Sequence, residues 1–499
     1  MGPTTDAPTD SSNAAPSPRW VSRLALPAIL LVAGLLAFAF LNDYQNWGDD
    51  WAQYMLQGQA ILDHSMRECV RQSAFMTRES AVVPGPVAYA WGLPLLLAVE
   101  GSLFSFTLPV FKLFNILIFL FLVAAVHRLA RKFLSGNAAL ATAAIFAFNP
   151  VVLHYCNHVL TELPFILSSV CAFLAMENNG LSKRSRVVSR LLAGTFAFLS
   201  FTLRTNGILI LAAATVREFL PSPSEKGLRR PALLELLLPY IPFFLLNTIW
   251  GRLFPAGGDG YLALLSAVTL HTLFTNALVY PVALFDFFTA GHHSGLLAVV
   301  LGPLVLWGAC KSWRRTAHLS VYGLLTMALY IVWTYQQGFR FMFPVAPVLV
   351  ILMMLGLDAL ADWKKAGKFG IFAARTAQSG FPIFFLLVSS VLAGTGKIPQ
   401  ETWNPYDQPS SEMFQWIRSN TSGDAVISFF KPRAMHLLGQ RLCLTATPAD
   451  LHKASYLVYS REHTWNEAQP SLEQYQQEAA LTPAFENRNF VVYRVGARP

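Results

Sequence analysis

The chain has 499 residues, 54% of them apolar and only 13% charged, which is too apolar for an ordinary soluble enzyme and marks a polytopic membrane protein. Its net charge of +9 gives no nucleic-acid signal, because Lys and Arg gather in short tracts between apolar runs, as orientation in a membrane requires. Cys69, Cys156, Cys171, Cys310 and Cys443 are scattered, indicating neither a zinc module nor a disulfide framework.

Residues 1–18, rich in Pro, Ser, Thr, Ala and Asp, cannot bury a core and read as a disordered cytoplasmic tail. The apolar run 24–41 is a first span near the lower length limit. No small-residue cleavage site follows it, so it is read as a retained anchor with Arg19 and Arg23 inside. The loop after it carries Asp49 and Asp50, bracketed by Trp47 and Trp51, aromatic residues of the kind that lie on a membrane interface. The Pro-broken stretch 83–98 reads as an interfacial helix, giving an outer loop over 42–109.

Spans two to four are expected at 110–126, 138–153 and 163–176, with the 127–132 basic tract inside and His154 to Glu162 outside. Spans five and six, 191–203 and 207–216, form a hairpin about Arg204, Thr205 and Asn206. Lys226, Arg229 and Arg230 lie inside before span seven, 233–250. An outer loop over 251–294 holds the Gly-rich 257–260, Asp286 and the His292–His293 pair, with apolar stripes suggesting interfacial helices.

Spans eight and nine, 295–309 and 319–334, flank Lys311, Arg314 and Arg315. Span ten covers 341–357, then Lys364, Lys365, Lys368 and Arg375 mark the inside before span eleven, 381–394. About eleven transmembrane helices follow, in a multi-span catalytic domain over 19–396 with the carboxyl end outside. Residues 397–499 have the composition of a small extracytoplasmic α/β domain, with a helix over 411–420, strands near 425–430, 456–459 and 490–495, and Thr447 capping a helix at 448–454.

The outer face then collects Asp49, Asp50, Tyr54, Glu162, Arg204 and Arg340. Each has an ordinary reading. The aspartates suit a solvated loop, and Glu162 suits the start of a helix, where the dipole favours an acid. Arg340, among Phe339, Phe341 and Phe343, suits a snorkelling side chain. Arg204 sits inside an apolar hairpin, where a guanidinium costs on the order of 2.5–3.5 kcal/mol, and calls for either a partner carboxylate or an anionic ligand. The His154–His158 and His292–His293 pairs lack a local third ligand. Taken together, the set suits group transfer from a lipid phosphate: a carboxylate accepts the acceptor's proton and arginines face the departing phosphate.

In the order of its motifs the chain resembles the polytopic GT-C glycosyltransferases that use polyprenyl-phosphate sugars, among them protein mannosyltransferases and lipid A aminoarabinose transferases. The resemblance rests on Asp50 with Tyr54, the Pro84-Gly85-Pro86 to Ala98 segment, Phe148-Asn149-Pro150 through Thr161-Glu162, Leu203 to Gly207, Arg340 before Pro344, and the closing outer domain. It implies a membrane-embedded all-α GT-C architecture in a cell membrane, that of bacteria being the expected setting. It also implies an inverting glycosyltransferase acting outside the cytoplasm on a lipid, glycan or protein acceptor. Asp50, with Asp49 as competitor, is the implied base or positioning acid; Tyr54, Glu162, Arg204 and Arg340 are implied substrate contacts. Where members use a divalent cation, Asp50 and Glu162 are its implied ligands; metal dependence varies in the family. A transporter or flippase of lipid-linked sugars is the rival, and it predicts mid-bilayer charges and internal repeats; no repeat is evident.

Overall fold

The structure is a computed structural model that describes residues 19–178, 182–220, 233–257, 268–289, 294–363, 367–396, 403–462 and 469–497. The 1–18 tail, Lys226, Arg229, Arg230, positions 258–260, the His292–His293 pair, Lys364 and Lys365 lie outside the described residues.

In hydrocarbon every backbone N–H and C=O must be satisfied within the chain, and the apolar runs are accordingly helical. Among the described residues six helices are long and apolar enough to cross a membrane: Leu108–Ala130, Arg184–Leu203, Glu235–Leu253, Ser294–Ile331, Phe339–Ala361 and Gly367–Thr395. A seventh candidate is the pair Gly136–Phe148 and Pro150–Cys156, bent by 54°. The bend falls where Pro150 cannot donate a helical hydrogen bond. Asn149 seals it, accepting from the Val151 amide and donating to the Phe287 carbonyl.

The expected eleven spans are therefore not reproduced. Several expected spans are short helices, such as Glu162–Met176 and Leu209–Phe219, whereas the first forms a helix of 21 residues, Arg19–Ala39. The largest difference is at expected spans eight and nine, which form one continuous helix of 38 residues, Ser294–Ile331. Lys311, Arg314 and Arg315 lie inside it rather than in a loop. Their charge suggested a loop, but Lys, Arg and Ala are good helix formers and no Gly or Pro interrupts 309–322. This helix approaches Ala346–Ala361 through two glycines: a Cβ on Gly308 would meet the Leu352 carbonyl oxygen at 2.0 Å, and one on Gly356 that of Leu304 at 2.0 Å. Small residues at such crossings let backbones touch.

The carboxyl end of the long helix is held by the Leu270–Ala283 helix. Asn276 Nδ2 there donates to the carbonyls of Tyr330, Ile331 and Trp333, groups that a helix end leaves without intrahelical partners. That clamp fixes the turn leading to Arg340.

The C-terminal unit is a five-stranded sheet of order β2-β1-β3-β5-β4, made of β1 Ile427–Phe429, β2 Cys443–Thr445, β3 Tyr456–Ser460, β4 Ala480–Glu486 and β5 Phe490–Gly496. β1 pairs in parallel with β2 and β3, and β5 antiparallel with β3 and β4. The Gln408–Asn420 helix, capped by Asp407, buries Met413, Phe414 and Ile417. Thr447 caps a 3-10 turn over Pro448–Lys453.

Trp47 and Trp51 are not interface anchors. Trp47 lies among Trp403, Phe414, Phe429, Phe430 and Phe490, with ring centroids 5.1–6.2 Å away. Trp51 meets Tyr406 at 5.7 Å. Both indoles are buried, so the loop after the first helix plugs into the C-terminal unit rather than into lipid. The unit also grips the Met66–Glu79 helix and its exit, through His436 to Gln72 and Thr445 to Ser80 and Val82.

Candidate active site

Asp49 and Asp50 begin the Asp50–Leu62 helix, just after a tight turn in which the Gly48 amide donates to Asn46 Oδ1. Successive side chains at a helix start diverge, and these two part completely. Asp49 turns to the C-terminal unit and accepts from the backbone amides of Arg433 and Ala434 at 3.1 Å each. Asp50 turns to the membrane helices, where Arg340 Nη1 stands 2.7 Å from its Oδ2 and the Tyr89 hydroxyl donates to its Oδ1.

Arg340 sits on the short Phe339–Met342 helix and bridges two acids. Its Nε donates to Glu162 Oε1 at 2.6 Å. Glu162 opens the Glu162–Met176 helix and is wholly buried, whereas the Asp50 side chain remains 22% exposed and open to an incoming group. Arg204, in the turn after the Lys183–Leu203 helix, reaches Glu162 Oε1 at 3.4 Å. Its guanidinium lies 5.9 Å from the ring centroids of both Phe165 and Phe341. The partner carboxylate that an arginine in this hairpin demands is thus Glu162. The second oxygen of Glu162, Oε2, is buried without a hydrogen-bond partner among the described residues.

Tyr54 follows Asp50 by one helical turn, is buried, and feels the charges of Asp50, Arg340, Glu162 and Arg204. Burial opposes ionisation of Asp50, but Arg340, Tyr89 and Arg433 outweigh it and hold its carboxyl at about 2. For Asp49 burial prevails over Arg433 and Lys431, and its carboxyl is pushed up. A cleft of about 100 Å³ opens beside Asp50 and Arg340, walled by Asn46, Trp51, His154 and His158.

Among the described residues no group of three or more His, Cys, Asp or Glu is placed to hold a metal ion. Asp50 and Glu162 are each bonded to Arg340, whose guanidinium stands where a bridging cation would. These residues do not fit a resident divalent cation in this arrangement. The rings of His154 and His158 lie tilted against each other with centroids 4.3 Å apart, and His158 Nδ1 pairs with the His154 carbonyl.

Five of the six residues singled out in the sequence converge: Asp50, Tyr54, Glu162, Arg204 and Arg340. Asp49 faces the other way. Tyr89 and Arg433 were not anticipated. Tyr89 carried a weak signal, following the Pro84-Gly85-Pro86 segment; Arg433 carried none, since nothing local separates it from other basic residues of a soluble domain.

No protein-family model and no curated protein sequence matches the chain. Solved structures do. An oligosaccharyltransferase of Archaeoglobus fulgidus, tethered to an acceptor peptide, is 12% identical with a TM-score of 0.53, over 88% of this chain and 70% of that one. ArnT of Cupriavidus metallidurans, bound to undecaprenyl phosphate, is 12% identical with a TM-score of 0.57, over 95% of this chain and 97% of that one. The mycobacterial arabinofuranosyltransferase AftD is 13% identical with a TM-score of 0.51, over 95% of this chain and 42% of that one. All three are GT-C glycosyltransferases, and this chain shares their fold.

Proposed function

We propose that the protein is an integral membrane glycosyltransferase that moves a sugar from a polyprenyl-phosphate donor to a lipid, glycan or protein acceptor. The reaction runs on the face carrying the 42–109 segment and the C-terminal unit, which is the extracytoplasmic one. The reading rests on one observation above all: Asp50, partly open to a cleft, shares a polar cluster with Arg340 and Arg204 at one end of apolar helices. The neighbours bound to undecaprenyl phosphate and acceptor peptide are consistent with it.

The acceptor hydroxyl gives its proton to Asp50 as its oxygen attacks the anomeric carbon. The bond from that carbon to the phosphate oxygen breaks, and its electron pair leaves with the polyprenyl phosphate. One displacement inverts the anomeric centre. Arginines facing the phosphate stabilise the charge that develops there.

Arg340 couples the two events. While it bonds Asp50 it keeps that carboxylate a weak base; drawn onto a phosphate, it leaves Asp50 more basic when a base is required. Tyr54 and Glu162, buried behind the Asp50–Arg340 pair, are the residues we assign to hydroxyls of the sugar.

The test is purified protein with a radiolabelled polyprenyl-phosphate sugar and a cell-envelope acceptor fraction. Transfer by wild type and its loss in Asp50→Asn is the expected result. Undiminished transfer by that variant removes Asp50 from the chemistry. Vesicle-to-vesicle movement of the labelled lipid without transfer establishes the flippase alternative instead.

A further inference from the structure

Arg433 is 1% exposed although it belongs to the C-terminal unit, and its side chain leaves that unit altogether. Nη2 donates to the Pro86 carbonyl at 2.6 Å and Nη1 to the Tyr89 hydroxyl at 2.9 Å, with the guanidinium 4.8 Å from the Tyr89 ring centroid. The Pro84-Gly85-Pro86 turn is shaped to receive it. Gly85 has φ +133°, and a Cβ there would lie 2.9 Å from Arg433 Nη2, so any larger residue both strains the turn and fills the slot.

We infer that Arg433 is a positioning residue of the site, fixing the Tyr89 hydroxyl so that its single proton points at Asp50 Oδ1. The argument is one of donors and acceptors. A guanidinium can only donate, so Arg433 occupies a lone pair of the Tyr89 oxygen. The phenolic proton is then committed to Asp50, which leaves Oδ2 to Arg340. The C-terminal unit thereby completes the site. Docking and positioning use different parts of one residue, because the bond to Asp49 is made by the Arg433 backbone amide.

The groups set around Asp50 are Arg340, Tyr89 and Arg433, then Tyr54, Glu162 and Arg204, with His154 and His158 sharing its cleft. Of these described residues, Arg433 is the one that comes from the C-terminal unit.

The inference rests on Asp50 being the site acid, and its test reads Asp50 without turnover. The carboxyl band of Asp50 is assigned by infrared pH-difference spectra of the purified full chain against Asp50→Asn. Docking of the C-terminal unit is followed by protease resistance. Arg433→Gln should raise the Asp50 midpoint by one pH unit or more, and Arg433→Lys should recover part of the shift. In a Tyr89→Phe background Arg433→Gln should add less than half of its own effect.

An unmoved midpoint in Arg433→Gln with the unit docked overturns the proposal, as does an equal shift with and without Tyr89. Where Arg433→Gln releases the unit, Tyr89→Phe alone decides: it keeps Arg433 and the Asp49 dock, and an unshifted midpoint there overturns the proposal. Undiminished sugar transfer by Asp50→Asn would defeat the enzymatic reading while leaving the infrared result intact, so the two failures are separable.

Discussion

Asp49 and Asp50 are neighbours in the chain and serve opposite sides of it: Asp49 caps the backbone at Arg433 and Ala434, while Asp50 pairs with Arg340. Their substitution should separate docking from chemistry. Asp50→Asn is expected to lower transfer by about 10²- to 10⁴-fold with the C-terminal unit still protected from protease. Asp49→Asn should leave turnover within a few-fold, and Asp49→Ala, which removes the accepting oxygen, should reduce stability by about 0.5–2 kcal/mol, the worth of a lost cap, read as a lower thermal midpoint in detergent. A loss of turnover in Asp49→Asn as deep as in Asp50→Asn would contradict this division.

Arg204 makes one long contact with Glu162, whereas Arg340 holds two carboxylates. Arg204→Ala should therefore fold nearly normally and bind undecaprenyl phosphate about 10- to 100-fold more weakly, a charged hydrogen bond being worth about 1.5–3 kcal/mol. Arg340→Ala leaves two acids without their shared cation and should cost about 3–5 kcal/mol of stability. Arg340→Lys should not restore it, since one ammonium cannot present the Nε and Nη1 geometry that reaches both. Equilibrium binding of undecaprenyl phosphate and thermal unfolding are the two readouts.

The two aspartates also carry opposite pH dependences. Asp50 has a folded value near 2, below its ordinary one, so it binds protons less readily folded than unfolded. Its stabilisation is full above about pH 4 and is lost as pH falls towards 2. Asp49 has a raised folded value, so its contribution declines as pH rises from about 4. Asp50→Asn should flatten the acid-side fall in thermal midpoint, and Asp49→Asn the decline above it. A wild-type acid limb unchanged in Asp50→Asn would refute the first assignment.

Trp47 touches five aromatic rings of the C-terminal unit. Trp47→Ala should cost about 3–5 kcal/mol, as for other buried aromatic truncations, and expose the C-terminal unit to protease. Trp47→Phe should cost less. An unaltered digestion pattern in Trp47→Ala would mean that other contacts hold the unit.

Much of the helical layout was legible because apolar runs in a bilayer have few structural options. Boundaries failed where charge imitated a loop, as at Lys311 to Arg315 inside the Ser294–Ile331 helix. In the sheet, β2 spans three residues, Cys443–Thr445, too few for an alternation to show. β4 carries Pro483 and lies at the sheet edge with a mostly exposed pattern, so its strand character comes from pairing with β5 rather than from its own sequence.

The sequence alone determined that the protein lives in a membrane, that an α/β unit closes the chain, and that Arg204 is a charge out of keeping with its apolar hairpin, while Asp49, Asp50, Tyr54, Glu162 and Arg340 stood as candidates on the same face. Those are local properties: a hydrophobic run, a change of composition, a charge with nothing nearby to match it. Only the tertiary structure decided that Asp49 docks while Asp50 faces the cleft, that Trp47 is a plug, and that Arg433 reaches Tyr89 across 344 residues of chain. A long-range pairing leaves no periodic trace in the chain, because it is set by which surfaces meet after the helices have packed.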